Sequence, residues 1–339
     1  MKRLLLLTAL LMAFVYALPI LTVGLDGGRD TAAEAEPEGE ADTPSYDADM
    51  TITLCHDGQV VELDLHTYLC GVVAAEMPAS FPEEALRAQA LAARTYSLYQ
   101  LALYDKGKAI PEAHKGAQLC ADHTHCKAYT DLEAESTNLW GKNAAYYRDR
   151  ITRAVEDTDG MIATWEGEPI AAVFHSTASA RTESALAVWG NDTPYLVSVE
   201  SPGGEASPRW KGEVVLTQQA FKDTMLAAYP EMDLPDDPHH WFKASERSEA
   251  GGIIEVTVGG IRLKGTEIRT LLGLNSTNFT FEVLDSGDLS FKTTGYGHGV
   301  GMSQYGAKAL AEEGKSFEEI IQWYYTGVEI KRQQPAGGA

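Results

Sequence analysis

A glutamate at the end of a helical segment is the first residue that could do acid–base chemistry. Apolar side chains recur at helical spacing through residues 65–75, and Glu76 follows them just before a proline break at Pro78. Burial at such a helix end would favour the protonated carboxyl group, which can give its proton to a leaving oxygen. Glu76 is therefore a candidate general acid. The alternative is a solvated glutamate, the commoner situation for an isolated Glu.

Cysteine and histidine concentrate in a polar loop further along the chain. His114, Cys120 and Cys126 follow one another at intervals of six residues, with His123 and His125 inside the second interval. Thiolate and imidazole are good zinc ligands, although this spacing is not that of a zinc finger. The alternative is a disulfide between the two cysteines, which an oxidising compartment would permit.

Mixed secondary structure must position these residues. An Asp-Gly turn joins two short strands and predicts a hairpin, and an alanine-rich helix is predicted to begin at Pro82. A third helix is predicted over Glu133 to Val155, and a strand from Ile170 to Phe174 leads into His175. Further strands and short helices alternate up to a glycine-rich loop at Gly295 to Met302. We expect an α+β fold, a single elongated unit of mixed helices and antiparallel strands.

The N-terminus predicts a membrane anchor. Lys2 and Arg3 precede an apolar run from Leu4 to Leu25, which is long enough to cross a hydrocarbon core of about 30 Å. Positive charge before the run predicts that the N-terminus stays inside and the rest lies outside. A cleaved signal peptide is the alternative, but the nearest small-x-small site, Ala33-Glu34-Ala35, lies well past the run.

The remaining segments follow from composition. Residues 1–25 form the predicted anchor, the acidic stretch 26–49 is predicted to be a disordered linker, residues 50–330 form the globular part, and residues 331–339 form a loose tail. The chain carries a formal net charge of -22, from 49 acidic against 27 basic residues. Such a surface repels nucleic acid, so we expect no nucleic-acid partner.

Three separated segments carry a family resemblance. Tyr68 to Leu98 reads YLCGVVAAEMPASFPEEALRAQALAARTYSL, Phe174 to Glu200 reads FHSTASARTESALAVWGNDTPYLVSVE, and Gly295 to Ala307 reads GYGHGVGMSQYGA. Together they resemble the stage II sporulation protein D family, whose members are peptidoglycan lytic transglycosylases. The segments stand in the family order, and the similarity covers nearly all of residues 50–330.

The resemblance assigns roles to individual residues. It implies that Glu76 is the catalytic acid and base, and that His114, Cys120 and Cys126 hold a structural zinc ion. It implies substrate contacts for Arg94, His175, Ser176, Thr177, Tyr296, His298, Gln304 and Tyr305. Arg94 could instead be a surface arginine paired with an acid, and His298 a satisfied histidine in a structural turn. Ala178 to Arg181 replaces part of the glycine-rich family pattern, and losing a glycine limits close approach of a ligand, so the resemblance implies no detailed substrate contacts for that loop.

The resemblance also implies a function and partners. The protein would be a single-pass cell-membrane enzyme with its catalytic domain outside, cleaving peptidoglycan glycan strands to 1,6-anhydro-muramic acid ends during sporulation engulfment. Its partners would be a peptidoglycan amidase and another membrane protein of that machinery. The sequence offers no credible second carboxylate for hydrolysis, and this reaction needs none, because the 6-hydroxyl of the sugar can act as nucleophile.

Other functions are weighed against this one. A zinc amidase or peptidase acting on stem peptides would need a metal site suited to catalysis, and no His-Glu-x-x-His motif occurs in the chain. A serine hydrolase built on Ser176 would lack the usual G-x-S-x-G turn. A non-catalytic glycan-binding module would be indicated by loss of the acid, but Glu76 is present.

Overall fold

The computed structural model describes residues 45–334. Its helices are α1 (Tyr46–Asp49), α2 (Leu65–Glu76), α3 (Glu83–Asp105), α4 (Leu132–Trp140), α5 (Ala144–Asp157), α6 (Ala185–Trp189), α7 (Gln218–Ala228), α8 (Gly265–Leu272), α9 (Gln304–Glu312) and α10 (Phe317–Tyr324). Its strands are β1 (Thr51–His56), β2 (Gln59–Asp64), β3 (Leu119–Cys120), β4 (Met161–Trp165), β5 (Glu168–Pro169), β6 (Phe174–His175), β7 (Lys211–Leu216), β8 (Phe242–Arg247), β9 (Ile253–Val258), β10 (Ile261–Lys264), β11 (Phe279–Val283), β12 (Leu289–Thr294), β13 (Met302–Ser303) and β14 (Glu329–Arg332). The expected α+β class is confirmed.

The strands form several small sheets. Four have the orders β2-β1-β3, β14-β4-β5, β11-β12-β7 and β10-β9-β8, and most of their pairings are antiparallel, as predicted. Two pairings are parallel, that of β1 with β3 and that of β6 with β13. The latter sets Phe174 beside Met302 and His175 beside Ser303, so it joins two segments that lie far apart in the chain.

The alanine-rich helix α3 lies at the centre of the larger hydrophobic cluster. Ala88, Ala90 and Ala93 have no exposed surface, and the helix packs against α2, α5, α9, α10 and β4. Small side chains let neighbouring backbones come close, which explains the alanine content of a helix surrounded on most sides. Pro82 is the N-cap rather than the first helical residue.

A second hydrophobic cluster is formed by α7, α8 and the strands from β7 to β12. Its centre is aromatic: Phe221 stacks on Trp241 with ring centroids 5.2 Å apart, and on Phe291 at 6.0 Å. The buried Glu183 connects this cluster to the glycine-rich loop. Its carboxylate accepts a hydrogen bond from the Gly252 amide at 3.0 Å, while its own amide donates to the carbonyl of Gly299.

Two predicted elements differ from the structure. The helix predicted over Glu133 to Val155 is divided into α4 and α5, because the chain turns at Gly141, whose φ of 53° is strained for other residues. The strand predicted from Ile170 to Phe174 pairs only at β6. The Ala172 and Val173 amides donate to carbonyls two residues back, so that stretch forms no ladder.

The folded part extends beyond both predicted boundaries. α1 precedes the expected start at Met50, and the Asp159 carboxylate accepts hydrogen bonds from the Tyr46 and Asp47 amides at 3.0 and 2.9 Å. At the other end β14 pairs with β4 as far as Arg332, two residues into the predicted tail. Residues 46–49 and 331–332, which composition assigned to the linker and to the tail, therefore belong to regular elements of the fold.

The predicted membrane anchor, residues 1–25, lies outside the described residues, as does most of the predicted linker. Within residues 45–334, no helix combines the length and the apolarity needed to cross a bilayer. The anchor and its orientation stay predictions.

Arg94 attaches α1 to the larger cluster. Its side chain is fully buried, and its guanidinium pairs with both carboxylate oxygens of Asp47 at 2.5 to 2.9 Å. The Thr158 hydroxyl and the carbonyls of Met161 and Val155 accept the remaining N–H groups. Burial raises the pKa of the Asp47 carboxyl group, and the arginine opposes this shift.

This position corrects the role that the resemblance implied for Arg94. All five guanidinium N–H groups are used inside the protein, so none is left to bind substrate. The alternative, an arginine paired with an acid, describes the contact better, although the pair is buried rather than at the surface.

Substitution of Arg94 should therefore act on stability. Arg94→Met leaves the Asp47 carboxylate buried without its charged partner, and we expect a loss of about 3–5 kcal/mol in the free energy of unfolding. Denaturant unfolding of Arg148→Met is the matched control, because the Arg148–Glu133 pair is exposed and should contribute less than about 1 kcal/mol. Equal losses in the two variants would contradict the structural role.

Candidate active site

Glu76 stands where α2 ends. Pro78 disfavours helical backbone at the preceding residue, so the helix ends at Glu76, and Met77 closes it by donating its amide to the carbonyl of Val73. The Glu76 carboxylate accepts a hydrogen bond from the Ala128 amide at 3.0 Å. The residue is half-buried, which is less burial than the sequence predicted.

A groove of about 700 Å³ opens beside Glu76. It is lined by Glu76, Pro78, His123, Thr124, Lys127, Phe174, His175, Ser176, Ser207, Pro208, Arg209, Arg269, Tyr296, Gly297, His298, Gln304 and Tyr305. Glu76 is the single carboxylate in that lining. Aromatic rings, amides and hydroxyls supply the rest, which is a surface suited to a polar ligand with some apolar faces.

A buried lysine lies next to the acid. Lys127 is 7% exposed, and its ammonium group sits 3.9 Å from the ring centroids of both Tyr96 and Phe174. Ring faces attract a cation and replace part of its lost hydration. Burial lowers the pKa of Lys127 to about 8, and the nearby Glu76 carboxylate opposes this shift.

Two arginines add to the positive charge of the groove. Arg209 donates to the Tyr296 hydroxyl at 2.7 Å and lies over its ring, while Arg269 donates to the carbonyl of Leu274 at 3.3 Å. Within residues 45–334, neither arginine forms a salt bridge with a carboxylate. The groove is thus locally cationic in a chain whose net charge is -22.

Two histidines in the groove have different hydrogen-bond arrangements. His298 donates from Nε2 to the Phe174 carbonyl at 3.0 Å, and its Nδ1 accepts from the Val300 amide at 3.1 Å. His175 donates from Nδ1 to the Val300 carbonyl at 3.1 Å, and its buried Nε2 has no partner among the described residues. Burial lowers the pKa of His175 to about 4 and that of His298 well below its usual range. Both imidazoles are therefore neutral at pH 7.

The histidines and cysteines of the polar loop converge. The ligand atoms of His114, Cys120, His125 and Cys126 all lie within 4.8 Å of one another. His114 Nε2 is 2.9 Å from His125 Nδ1 and 3.5 Å from the Cys126 sulfur. All four cysteines of the chain are free, so the disulfide alternative is not what the structure shows. The cluster could hold a metal ion, with His125 as a fourth ligand that the sequence did not single out.

A short segment connects this cluster to the acid. Cys126 belongs to the cluster, Lys127 lines the groove, and the amide of Ala128 donates to Glu76. Thr130 then donates its amide to the carbonyl of Gly71 in α2, at 3.2 Å. Contacts that fix the Cys126 side chain therefore also help to position the Ala128 amide, and with it the Glu76 carboxylate.

Most of the predicted substrate residues meet in the groove. His175, Ser176, Tyr296, His298, Gln304 and Tyr305 all line it together with Glu76. Thr177 does not, because it is buried and its backbone pairs with that of Tyr296. The altered loop from Ala178 to Arg181 also lies outside the lining. The sequence interpretation missed Lys127, Arg209 and Arg269. Of these three residues, only Lys127 could have been found from the sequence, because it directly follows the candidate metal ligand Cys126.

Comparisons with known proteins show which family this chain is similar to. The profile of the family described as "Stage II sporulation protein" matches residues 56–165. Stage II sporulation protein D of Bacillus subtilis (strain 168) is 38% identical over 272 residues, covering 80% of this chain and 75% of that protein. This chain belongs to the stage II sporulation protein D family. The same protein of Bacillus amyloliquefaciens is 36% identical, again covering 80% of this chain and 75% of the relative.

A more distant relative has another printed name. The "Amidase enhancer" of Bacillus subtilis (strain 168) is 25% identical over 312 residues, covering 77% of this chain and 40% of that protein. In this stage II sporulation protein D family member, the profile match includes Glu76, Lys127 and the whole His/Cys cluster.

The neutral state of His175 can be tested by titration. Its imidazole should titrate near pH 4 by NMR, because its surroundings disfavour the charged ring. The unfolded chain takes up this proton near pH 6.5, so the free energy of unfolding should fall as pH drops from about 6.5 to 4, by about 3 kcal/mol from this residue. His175→Asn should lose correspondingly less stability across that window. Titration of His175 near pH 6.5 would contradict the assignment.

Proposed function

We propose that this protein is a lytic transglycosylase that cuts the glycan strands of peptidoglycan and leaves 1,6-anhydro-muramic acid ends. The observation that supports this most is the single carboxylate in the groove lining, Glu76. Hydrolytic glycosidases use two carboxylates on opposite sides of the scissile bond. A groove with one carboxylate suits a reaction in which the sugar supplies its own nucleophile.

In this mechanism Glu76 acts twice. Its protonated carboxyl group gives a proton to the glycosidic oxygen as the bond from that oxygen to C1 of the muramic sugar breaks. The 6-hydroxyl of the same sugar then attacks C1 and closes the anhydro ring. Its proton passes to the Glu76 carboxylate, which restores the acid. The attack is intramolecular, so it benefits from a high effective concentration of the nucleophile.

The cations of the groove have two roles in this proposal. Lys127 lies close enough to Glu76 for their charges to interact, so its ammonium group stabilises the carboxylate once the proton has left. Arg209 and Arg269 can bind oxygen atoms of the substrate, including any free carboxylate on the muramic acid. Because the protein as a whole is acidic while the groove is cationic, an anionic polymer is repelled by most of the surface and attracted to the groove.

We propose further that the His/Cys cluster holds a zinc ion with a structural role. Two thiolates and two imidazoles are a usual tetrahedral donor set, here His114, Cys120, His125 and Cys126. Burial raises the pKa of the Cys126 thiol to about 12, so a bound cation would be needed to keep it deprotonated. When bound, zinc would supply rigidity to the segment that carries Lys127 and Ala128.

The cluster geometry argues against a zinc amidase and so supports this proposal. A catalytic zinc site keeps one position open for water, whereas four protein ligands close the site. None of the four cluster residues lines the groove. A peptidase mechanism would need the metal beside the substrate, so the structure favours cleavage at the glycan by Glu76.

The family suggests where the protein acts. We propose that it works in sporulation, at the cell membrane with the catalytic domain outside, held by the anchor predicted over residues 1–25. Its partners would be glycan strands, a peptidoglycan amidase and a membrane protein of the engulfment machinery. A relative named as an amidase enhancer supports the link to an amidase.

The product of digestion tests the proposed activity. Glycan strands digested by the protein should end in 1,6-anhydro-muramic acid, one water lighter by mass spectrometry than a hydrolysed end. Glu76→Gln should lower the rate by at least about 10² to 10⁴, because a lone acid and base is lost. Glu133→Gln, at an exposed carboxylate outside the groove, is the control and should retain activity. Reducing ends alone, or released stem peptides, would show that the reaction is a different one.

Metal analysis tests the zinc proposal. The purified protein should contain about one zinc per chain. Cys126→Ser and His125→Ala should both lower the zinc content and the melting temperature, whereas Cys70→Ala, at a buried cysteine outside the cluster, should leave the zinc content unchanged. Full zinc content in His125→Ala would limit the ligands to the three residues that the resemblance implied.

A further inference from the structure

A second cleft lies beside the groove that contains Glu76. It encloses about 570 Å³ and shares no lining residue with the groove. Along residues 205–210 the chain contributes to both sites: Ser207 and Arg209 line the groove, whereas Glu205 and Trp210 line the second cleft. The two sites are therefore neighbours that share this segment as a border.

Helix α9 also runs from one site to the other. Gln304 and Tyr305 in its first turn line the groove, while Leu310 and Glu313 at its other end line the second cleft. The helix rises by only about 8 Å between Tyr305 and Leu310. A linear polymer lying along α9 would therefore meet both sites.

An exposed but fixed indole ring lines the second cleft. Trp323 is 37% exposed, and its Nε1 donates a hydrogen bond to the carbonyl of Glu200 at 2.7 Å. Its neighbours in α10, Ile321 and Tyr324, are fully buried, so the helix that carries the ring is held by the core. A ring that is already fixed loses little freedom when a ligand covers it. Its apolar face suits the C–H face of a sugar ring.

The polar part of the lining consists mainly of hydrogen-bond acceptors. Glu200, Glu205 and Glu313 have exposed side chains, and none of them forms a salt bridge among the described residues. The one cation of the lining, Arg181, pairs with Glu249 at 2.9 Å. Carboxylates accept hydrogen bonds from hydroxyl and amide donors and repel an anion.

The combination defines a ligand class that the acids alone would not. In a chain of net charge -22, three acids near one another are not by themselves evidence of a ligand. Here they surround an enclosed volume with a fixed indole ring. Ring face, acceptors and absence of a free cation together suit an uncharged molecule with many donors, which describes a neutral sugar.

We propose that the second cleft binds an N-acetylglucosamine unit of the glycan strand that lies in the groove. The inference rests on the proposed glycan substrate. N-acetylglucosamine has hydroxyl and amide donors and no charge, whereas a muramic acid without its peptide carries a carboxylate. The cationic groove suits the muramic unit, and the acidic cleft suits the neutral one.

This arrangement would set the register of the strand. The two sugars alternate along a strand, so a neutral unit held in the second cleft fixes which bond lies beside Glu76. It also gives a place to the loop that departs from the family pattern, because Ser179, Ala180 and Arg181 line the second cleft and not the groove.

The test is binding of peptide-free glycan strands and of hexa-N-acetylchitohexaose to the full-length protein, with Glu76→Gln in every variant to prevent turnover. We expect Trp323→Ala to bind both ligands about tenfold more weakly, as the loss of one aromatic anchor predicts. Tyr146→Ala is the matched control, since Tyr146 is 57% exposed and lines neither site. It should bind like the parent.

A second variant guards against a folding defect in the first. The Glu313 side chain makes no hydrogen bond or salt bridge among the described residues, so Glu313→Ala should keep the parental melting temperature. It should weaken binding of both ligands by about 2- to 5-fold, through loss of one acceptor. Glu231→Ala, at an exposed carboxylate outside both sites, should change neither property.

Parental affinity in both Trp323→Ala and Glu313→Ala would overturn the proposal, and so would absence of glycan binding in the parent. With Glu76 intact, the same two variants should raise KM for strands and leave kcat nearly unchanged, because a distant contact adds uniform binding. The product of digestion decides the proposed reaction separately. A different product with intact dependence on Trp323 would refute the reaction and leave the second cleft in place.

Discussion

The groove depends on one short parallel pairing, that of β6 with β13. Two residues from each strand bring Phe174 and His175 beside Met302 and Ser303. From this contact follow the bond of His298 to the Phe174 carbonyl, the bond of His175 to Val300, and the start of α9 with Gln304 in the groove. No residue of this pairing performs the proposed proton transfer. It instead holds His175, His298 and Gln304 in the lining of the groove.

The acid itself is held by a hydrogen bond from a loop to a helix end. The Ala128 amide orients the Glu76 carboxylate, and Lys127 is clamped between two aromatic rings at the same place. A half-buried glutamate at a helix end can adopt several rotamers. The hydrogen bond from the Ala128 amide favours the one seen for Glu76. Cys126 of the His/Cys cluster directly precedes Lys127, so the cluster and the donor to Glu76 lie on one three-residue segment.

Local patterns predicted much of the fold. Helical spacing and caps gave α2, α3 and α10, and the Asp-Gly turn gave the β1–β2 hairpin. The predictions that were wrong or incomplete concerned residues whose contacts are made with residues far away in the chain. The resemblance implied a substrate contact for Arg94, and its actual partner, Asp47, lies in a stretch whose composition predicted disorder. A turn of the chain brings His125 into the His/Cys cluster. Arg209 and Arg269 line the groove because of how their elements pack, which no local sequence pattern predicts.

The groove takes its residues from two separately packed hydrophobic clusters. Glu76 and Lys127 belong to elements of the larger one, whereas Arg269 extends from α8, whose Ile268 and Leu272 pack in the smaller one. Each cluster can accept changes of side-chain volume without disturbing the other's interior. Repacking the smaller cluster would then move Arg269 relative to Glu76 without a change at Glu76 itself. Under the proposed function, selectivity among glycan strands would then diverge between relatives while the chemistry at Glu76 stays constant.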